Sequence, residues 1–541
     1  MQEPSIEASW DRVALAVSGV EPNHRNDWRE RFRAVLGDFR FLPGGRILAG
    51  AGTPHQVTLL NGFVMVALDD SINGIFNALR EAMLTLQAGG GIGIDFSTLR
   101  PAGSAALRTG GEASGPVAFM RLWEAANAVL EPGKPRRSAM MATLRCDHPD
   151  IEAFAQGSSG PSPLHPMKLS VLLSEAFMHA VDEDSAWPLV FPLGDHPLPA
   201  GGEVCERVWS GSPLPQPCRV YRRVPARLLW DHLLQAMHRG ALPGVLFVDR
   251  INRVNNLWFS EHISCSSPCA ALPLPAFGAC NLGSINLTRF VQYPFGPHPD
   301  IDFAGLRAVA AVATRFLDDV IDLSLLPLKS QEKVSHGSRR IGLGVTGLAD
   351  TLLMLGLRYG SPGSLELARQ IMVAIRDTAY RTSVALAQEK GACAAFDKVR
   401  YGASPFVLDL PHDIQDGIAL HGIRNSHLLA VAPAASISLL ANNVSRGIEP
   451  VLEFRPQQGL RQDNSEVSVE AQLRMAEAVQ SCVDNAVSKT VRLPQATTAL
   501  EIGQAVQRAW ELGLKGCSFH REGSSTGAVA PNPLPVTSRV G

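Results

Sequence analysis

Apolar positions along the chain repeat at two different spacings. Around Trp28 to Leu36 they recur at helical intervals within a polar stretch, so residues 1–45 are expected to form a small helical lead-in. Residues 56–66 read as a strand-like run. Ser71 offers an N-cap hydroxyl ahead of Ile72, Ile75, Phe76, Leu79, Met83 and Leu86. Their three- and four-residue spacing predicts a helix that stops at Gly89-Gly90-Gly91. Short apolar runs predict strands at 92–96, 169–173, 245–248 and 428–431. Amphipathic helices are expected at about 116–130, 226–239, 304–322, 364–390, 467–487 and 498–512. Segments 184–223 and 289–300 are rich in Pro and Gly and read as loops. The alternation favours an α/β architecture with largely parallel strands. No repeat of 20–50 residues is visible, which argues against a solenoid.

Composition narrows the classes further. With 45% hydrophobic and 18% charged residues, the 541-residue chain is not a disordered one. Lys and Arg number 49 against 51 Asp and Glu, a net charge of −2, so charge gives no reason to expect nucleic acid or an acidic membrane as partner. The apolar stretch 304–316 is interrupted by Arg307 and Arg315, well short of the roughly 18 residues of a membrane span. The start has neither a basic region nor an apolar one, so no secretory signal is read and a cytoplasmic location is expected. The nine cysteines, at 146, 205, 218, 265, 269, 280, 393, 482 and 517, are odd in number and contain no C-x-x-C. Free thiols are therefore expected, with neither a disulfide framework nor a zinc ribbon, and no metal ligands are assigned.

Gly342-Leu343-Gly344-Val345-Thr346-Gly347 matches the dinucleotide fingerprint, but Ser335 to Arg340 ahead of it cannot form the buried strand that the motif requires. Three cysteines fall close together, Cys265, Cys269 and Cys280, with Pro268, Pro273 and Pro275 between them. Those prolines forbid a helix through Cys269 and favour a stiff loop. Taken alone, such thiols are either structural or a redox site.

At these residues the sequence resembles a known family, the adenosylcobalamin-dependent (class II) ribonucleotide reductases. Matching blocks run collinearly from about residue 40 to 528. They include Phe41-Leu42-Pro43-Gly44-Gly45-Arg46, Gly89-Gly90-Gly91-Ile92-Gly93, and Ser138-Ala139-Met140 through Arg145-Cys146-Asp147-His148-Pro149-Asp150. Arg339-Arg340-Ile341-Gly342-Leu343-Gly344, Gly447-Ile448-Glu449-Pro450, Ser488-Lys489-Thr490 and Gly513-Leu514-Lys515-Gly516-Cys517 continue the series.

The resemblance implies a ten-stranded α/β barrel with a central finger loop. The barrel is expected over 46–500, after the 1–45 segment and before a C-terminal helix and short tail at 501–541 without a redox cysteine pair. It also implies adenosylcobalamin as cofactor and reduction of ribonucleotides for DNA synthesis. In that scheme a deoxyadenosyl radical oxidises Cys269 to a thiyl, which takes the 3′-hydrogen of the ribose. Cys280 is one of two reducing strand cysteines. Asn61, Gly91 and the loop Pro433, Ala434, Ala435, Ser436, Ile437 are expected at the substrate. The implied partners are a ribonucleotide, a nucleotide effector, an external dithiol, and a second copy or a partner reductase chain.

This sequence departs from the family at the chemistry itself. The family's Asn-Pro-Cys-Gly-Glu reads Ser267-Pro268-Cys269-Ala270-Ala271, so the carboxylate position is Ala271 and the amide position Ser267. The second strand cysteine position is Gly62. Three readings follow: a working reductase, a silent paralogue that binds nucleotide or a reductase partner, and a radical enzyme with altered chemistry.

Overall fold

A computed structural model describes residues 3–106, 110–130, 139–157, 167–194, 201–240, 242–451 and 467–524. Ser138 and the tail beyond 524 lie outside the described residues. The main helices begin where a cap coincides with apolar spacing. Ser71 Oγ accepts the Gly74 amide at 3.0 Å and starts Ile72–Gln87. Ser361 caps Pro362–Lys390, where Pro362 sits in the first turn and costs no helical hydrogen bond. Thr498 and Glu501 cap Ala499–Glu511 reciprocally. Val469–Gln480 ends short of the expected 487. Beyond it the Asp484 carboxylate accepts the Leu428 and Leu429 amides at 2.7 and 2.8 Å, which pulls the chain out of helix.

Ten strands share one sheet. Gly62–Val64, Gly91–Asp95, Met140–Arg145, Met167–Leu173 and Gly244–Phe247 run parallel in that order. Ala279–Asn286 joins this set antiparallel at the Gly62 side, and Gly516–Arg521 joins it antiparallel at the Gly244 side. These two carry parallel partners of their own, Ile341–Thr346 and Thr490–Leu493. The segment 428–431, expected as a strand, makes only isolated bridges, Leu343 to Leu429 and Val431 to Val487. They link the second set across its own middle. This is the expected α/β barrel, its ten-stranded sheet built from two parallel sets pointing in opposite directions with Phe41–Pro43 antiparallel beside Ala279–Asn286. Phe41–Pro43 and Gly516–Arg521 belong to the sheet, which therefore reaches past 46–500 on both sides.

The glycine motif at 342–347 is itself a strand followed by a turn. A Cβ at Gly344 would lie 2.3 Å from the Ala430 carbonyl, so the glycine serves the close approach of 428–431 and not a phosphate. The stretch 184–223 is not the expected loop. Ala186–Pro192, Val204–Val208 and Pro215–Pro225 form a three-stranded antiparallel sheet. Pro188 and Pro192 lie on an outer strand and Pro215 and Pro225 end the middle one, positions where a missing amide is tolerated. The lead-in forms helices Ile6–Ser18 and Arg25–Leu36. They dock through Arg315, which bonds the buried Glu21 at 2.6 Å and stacks over Trp28 at 4.0 Å. Among the described residues no helix is long and apolar enough to cross a membrane.

Candidate functional site

Strand alternation sends successive side chains to opposite faces. On Met167–Leu173 the residues Met167, Leu169, Val171 and Leu173 pack into the main core, leaving Lys168, Ser170 and Leu172 for the inner face. There Met141, Leu172 and Leu246 form a small apolar cluster, and Ala270 packs against it. The loop bearing Cys269 thus lies inside the barrel. Its arms, Cys265–Ser266 and Pro273–Leu274, pair antiparallel. The Ser267 amide donates to the Leu272 carbonyl at 2.9 Å and the Ala270 amide to the Ser267 carbonyl at 2.8 Å. That turn forces Ala270 to a φ of 59°, a strained value for a residue with a Cβ.

Glycines on the facing strands let the loop descend. A Cβ at Gly93 would lie 2.0 Å from the Ser266 carbonyl and 2.9 Å from Cys265 Sγ. One at Gly91 would touch Pro268 at 3.4 Å. One at Gly62 would lie 2.6 Å from Ser267 Cβ and 2.9 Å from Leu272 Cδ1. Gly62 therefore does more than lack a sulfur: the finger loop occupies the space a side chain there would need. Gly62 pairs directly with Cys280 across adjacent strands, as the sequence resemblance required.

All nine cysteines are free. Cys265 and Cys280 are fully buried, whereas Cys269 is half-buried. Burial pushes the Cys265 thiol up to about 12, with the Asp95 carboxylate adding to the effect. Burial also pushes Cys280 well above the usual thiol range, with smaller contributions from Arg340, Asp484 and Cys269. Ser267 Oγ lies 3.1 Å from Cys269 Sγ. Lys168, beside Met141 in the strand register, stands on the same inner face, near enough for the charge on Cys269 to act on it. Burial lowers its ammonium below the usual lysine range and the Cys269 charge opposes that shift. Sequence reasoning missed Lys168, although a Lys alternating with Ser170 in an apolar strand was a legible signal.

One buried side chain pins both arms of the loop. Arg340 bonds Glu261, ahead of Cys265, at 2.6 Å and the Pro273 carbonyl, beyond Cys269, at 3.0 Å. Ala271 is fully buried, and its carbonyl accepts the Ala486 amide at 3.1 Å. No carboxylate takes its place on the loop. Asn61 Oδ1 accepts the Leu282 amide at 3.2 Å, and a Cβ at Gly44 would collide with that side chain. Asn61 thus helps to hold neighbouring strands through its Oδ1. Ala430 and Ala432 pack with Cys265 and Cys280, and the segment Pro433, Ala434, Ala435, Ser436, Ile437 continues directly from them. Ile437 and Ala434 there pack against Leu42 and Leu48. Among the described residues no group of three His, Cys, Asp or Glu side chains is placed to hold a metal ion.

Comparison with known proteins matches this geometry. The model of the ribonucleotide reductase barrel domain fits residues 61–459 and 460–520, and that of the ribonucleotide reductase all-alpha domain fits residues 2–56. The chain belongs to the ribonucleotide reductase large-chain family. Among its relatives, the vitamin B12-dependent ribonucleoside-diphosphate reductase of Mycobacterium tuberculosis is 35% identical, across 96% of this chain and 76% of that protein. The protein of the same description from Thermoplasma acidophilum is 31% identical, across 95% of this chain and 67% of its own length.

Proposed function

We propose that the chain is a vitamin B12-dependent ribonucleotide reductase that takes ribonucleoside diphosphates into the barrel and uses Cys269 as its radical thiol. The observation that carries this reading is the seat of Cys269, at the tip of an interior loop beside the strand of Cys280. Cys269 is half-buried while its neighbours Cys265 and Cys280 are sealed, so it is the thiol open to a group bound at the barrel mouth. Adenosylcobalamin supplies, when bound, an organic radical able to take a thiol hydrogen. Cys269 then presents its sulfur to the ribose, and Ser267 orients it. The 433–437 segment offers backbone amides toward phosphate. An external dithiol, a nucleotide effector and a second chain complete the reading, in the cytoplasm.

A specific observation favours a second reading, a silent paralogue that binds nucleotide or a partner reductase chain. Gly62 and Ala271 remove a sulfur and a proton acceptor, and Ser267 fills the place of the former. A positioned base alone is worth about 10²–10⁴ in rate. The test incubates the purified chain with adenosylcobalamin, a ribonucleoside diphosphate and a dithiol, and measures deoxynucleotide beside cofactor cleavage. Sustained deoxynucleotide formation is the outcome expected of the reductase. Nucleotide binding without either product supports the silent paralogue, and cofactor cleavage alone supports altered radical chemistry.

A further inference from the structure

Gly62 leaves Cys280 without the sulfur that the family places opposite it, yet Cys280 is not without a thiol on its own side of the sheet. Gly62 is its register partner, and Ser267 rests on Gly62 with a 2.6 Å approach to the Cβ position there. The hydroxyl of Ser267 in turn lies 3.1 Å from Cys269 Sγ. One residue, Gly62, is thus in contact with the strand of Cys280 on one side and with the tip of the Cys269 loop on the other. Leu272 of the loop packs in the same apolar cluster as Cys280. Cys265 shares that cluster, but its sulfur lies 2.9 Å from the Cβ position of Gly93, on the strand beyond Gly62, and is bonded to the Ser266 carbonyl. Lys168 stands on the same inner face, beside Met141, whose apolar cluster Ala270 of the loop joins.

We propose that Cys269 and Cys280 form a dithiol–disulfide pair in this chain, opened to small disulfides at Cys269 and closed by Cys280, with Lys168 near the attacking sulfur. The step balances with glutathione disulfide as oxidant. Cys269, as thiolate, attacks one sulfur of glutathione disulfide, breaking its S–S bond and releasing one glutathione thiol. Cys280 then attacks Cys269 Sγ, forms the intrachain S–S bond and releases the second glutathione thiol. Two protons leave on the two thiols; the protein loses two electrons and glutathione disulfide gains them. The half-buried position of Cys269 suits the entering partner; Cys280 is beyond the reach of external disulfides, and because burial holds its thiol protonated the closing step is the slow one. Lys168 forms no ion pair or hydrogen bond among the described residues, so its ammonium is available to the thiolate that the attack requires.

The pair needs neither nucleotide nor cofactor, so its test stands apart from reductase activity. The full chain is treated with glutathione disulfide, denatured, alkylated and mapped after trypsin and chymotrypsin, whose cut at Phe277 separates the two cysteines. The expected result is loss of two thiols per chain and a linked peptide joining Cys269 to Cys280. Cys280→Ala is expected to stop the sequence at one stable glutathione on Cys269, while Cys265→Ser closes the disulfide as the parent does. Lys168→Met is expected to slow glutathione addition about tenfold, and Lys168→Arg to restore it. A linked peptide joining Cys265 to either sulfur, or a folded parent chain that holds glutathione on Cys269 without closing, overturns the pair. An unchanged rate in Lys168→Met overturns the part given to the lysine.

Discussion

Replacing Gly62 by Cys puts back the strand sulfur in the one place where the structure has no room for it. The new Cβ would stand 2.6 Å from Ser267 Cβ and 2.9 Å from Leu272 Cδ1. Carbon–carbon contacts are comfortable at about 3.5–4.0 Å, so Ser267 must retreat by about 1 Å. It cannot do so by changing rotamer, because its Cβ is fixed to a backbone held by the Ser267–Leu272 and Ala270–Ser267 hydrogen bonds. Overpacking of this kind costs about 1–3 kcal/mol. Gly62→Cys is expected to lower the unfolding free energy by that amount, seen as a lower urea midpoint at unchanged slope. A double-mutant cycle identifies the cause. Ser267→Gly removes the obstructing carbon and is expected to recover about 0.5–3 kcal/mol in combination with Gly62→Cys. Ser267→Ala keeps that carbon and is expected to be additive with Gly62→Cys. Additivity in both cycles, or a Gly62→Cys chain as stable as the parent, refutes the reasoning. The same geometry bears on repairing the site by Gly62→Cys, Ala271→Glu and Ser267→Asn together. Asparagine retains the colliding carbon, so turnover from the triple variant requires the loop to lift.

Two further expectations concern the loop's support. Arg340→Ala leaves the nearly buried Glu261 without its partner and frees the Pro273 carbonyl, at a cost of about 3–5 kcal/mol. Thermal melts should show the loss and native-state maleimide labelling of Cys269 should accelerate; an unchanged melt and labelling rate would contradict the pinning role. His427 is fully buried, and burial, helped by the Arg340 and Lys515 charges, holds its imidazole well below the usual range. The unfolded chain therefore takes up that proton first as pH falls through about 6.5, and stability drops there by up to about 1.4 kcal/mol per pH unit. His427→Gln is expected to flatten this acid limb relative to the parent, and parallel limbs in the two proteins would reject the assignment.

Much of the helical framework was legible because caps and spacing are local. Ser71 announces its helix within four residues of sequence, whereas the helices Pro362–Lys390 and Ala499–Glu511 were legible from apolar spacing and their caps, Ser361 and Thr498, emerge with the structure. The sheet at 186–225 was hidden because the Pro and Gly content of the region masked its alternation. At 428–431 the apolar run was read as a strand, but only isolated bridges form there. The candidate site divides the same way. Cys269 on a stiff loop and Cys280 opposite Gly62 followed from the resemblance, and the pairing agrees. That Ser267 fills the space over Gly62, and that Lys168 stands near the thiol, depend on segments some 100–200 residues apart meeting inside the barrel. No local pattern encodes such a meeting. Nor does local sequence show that Asn61 Oδ1 accepts the Leu282 amide, a contact 221 residues away.

The supports of the Cys269 loop also set the order in which the site is completed. The loop is held by Arg340 and, through the Ala271 carbonyl, by the amide of Ala486, about 215 residues further along the chain. At a synthesis rate of about 5–20 residues per second, roughly 10–40 s separate the emergence of the loop from that of its last support. During that interval the first parallel set can already pair, since its five strands are all made before the loop. The thiol centre is thus assembled on a nearly finished protein. A chain interrupted before residue 486 would keep at most the Arg340 pin on the loop, so ribosomal release of incomplete products would yield protein with a half-built scaffold and a less guarded thiol.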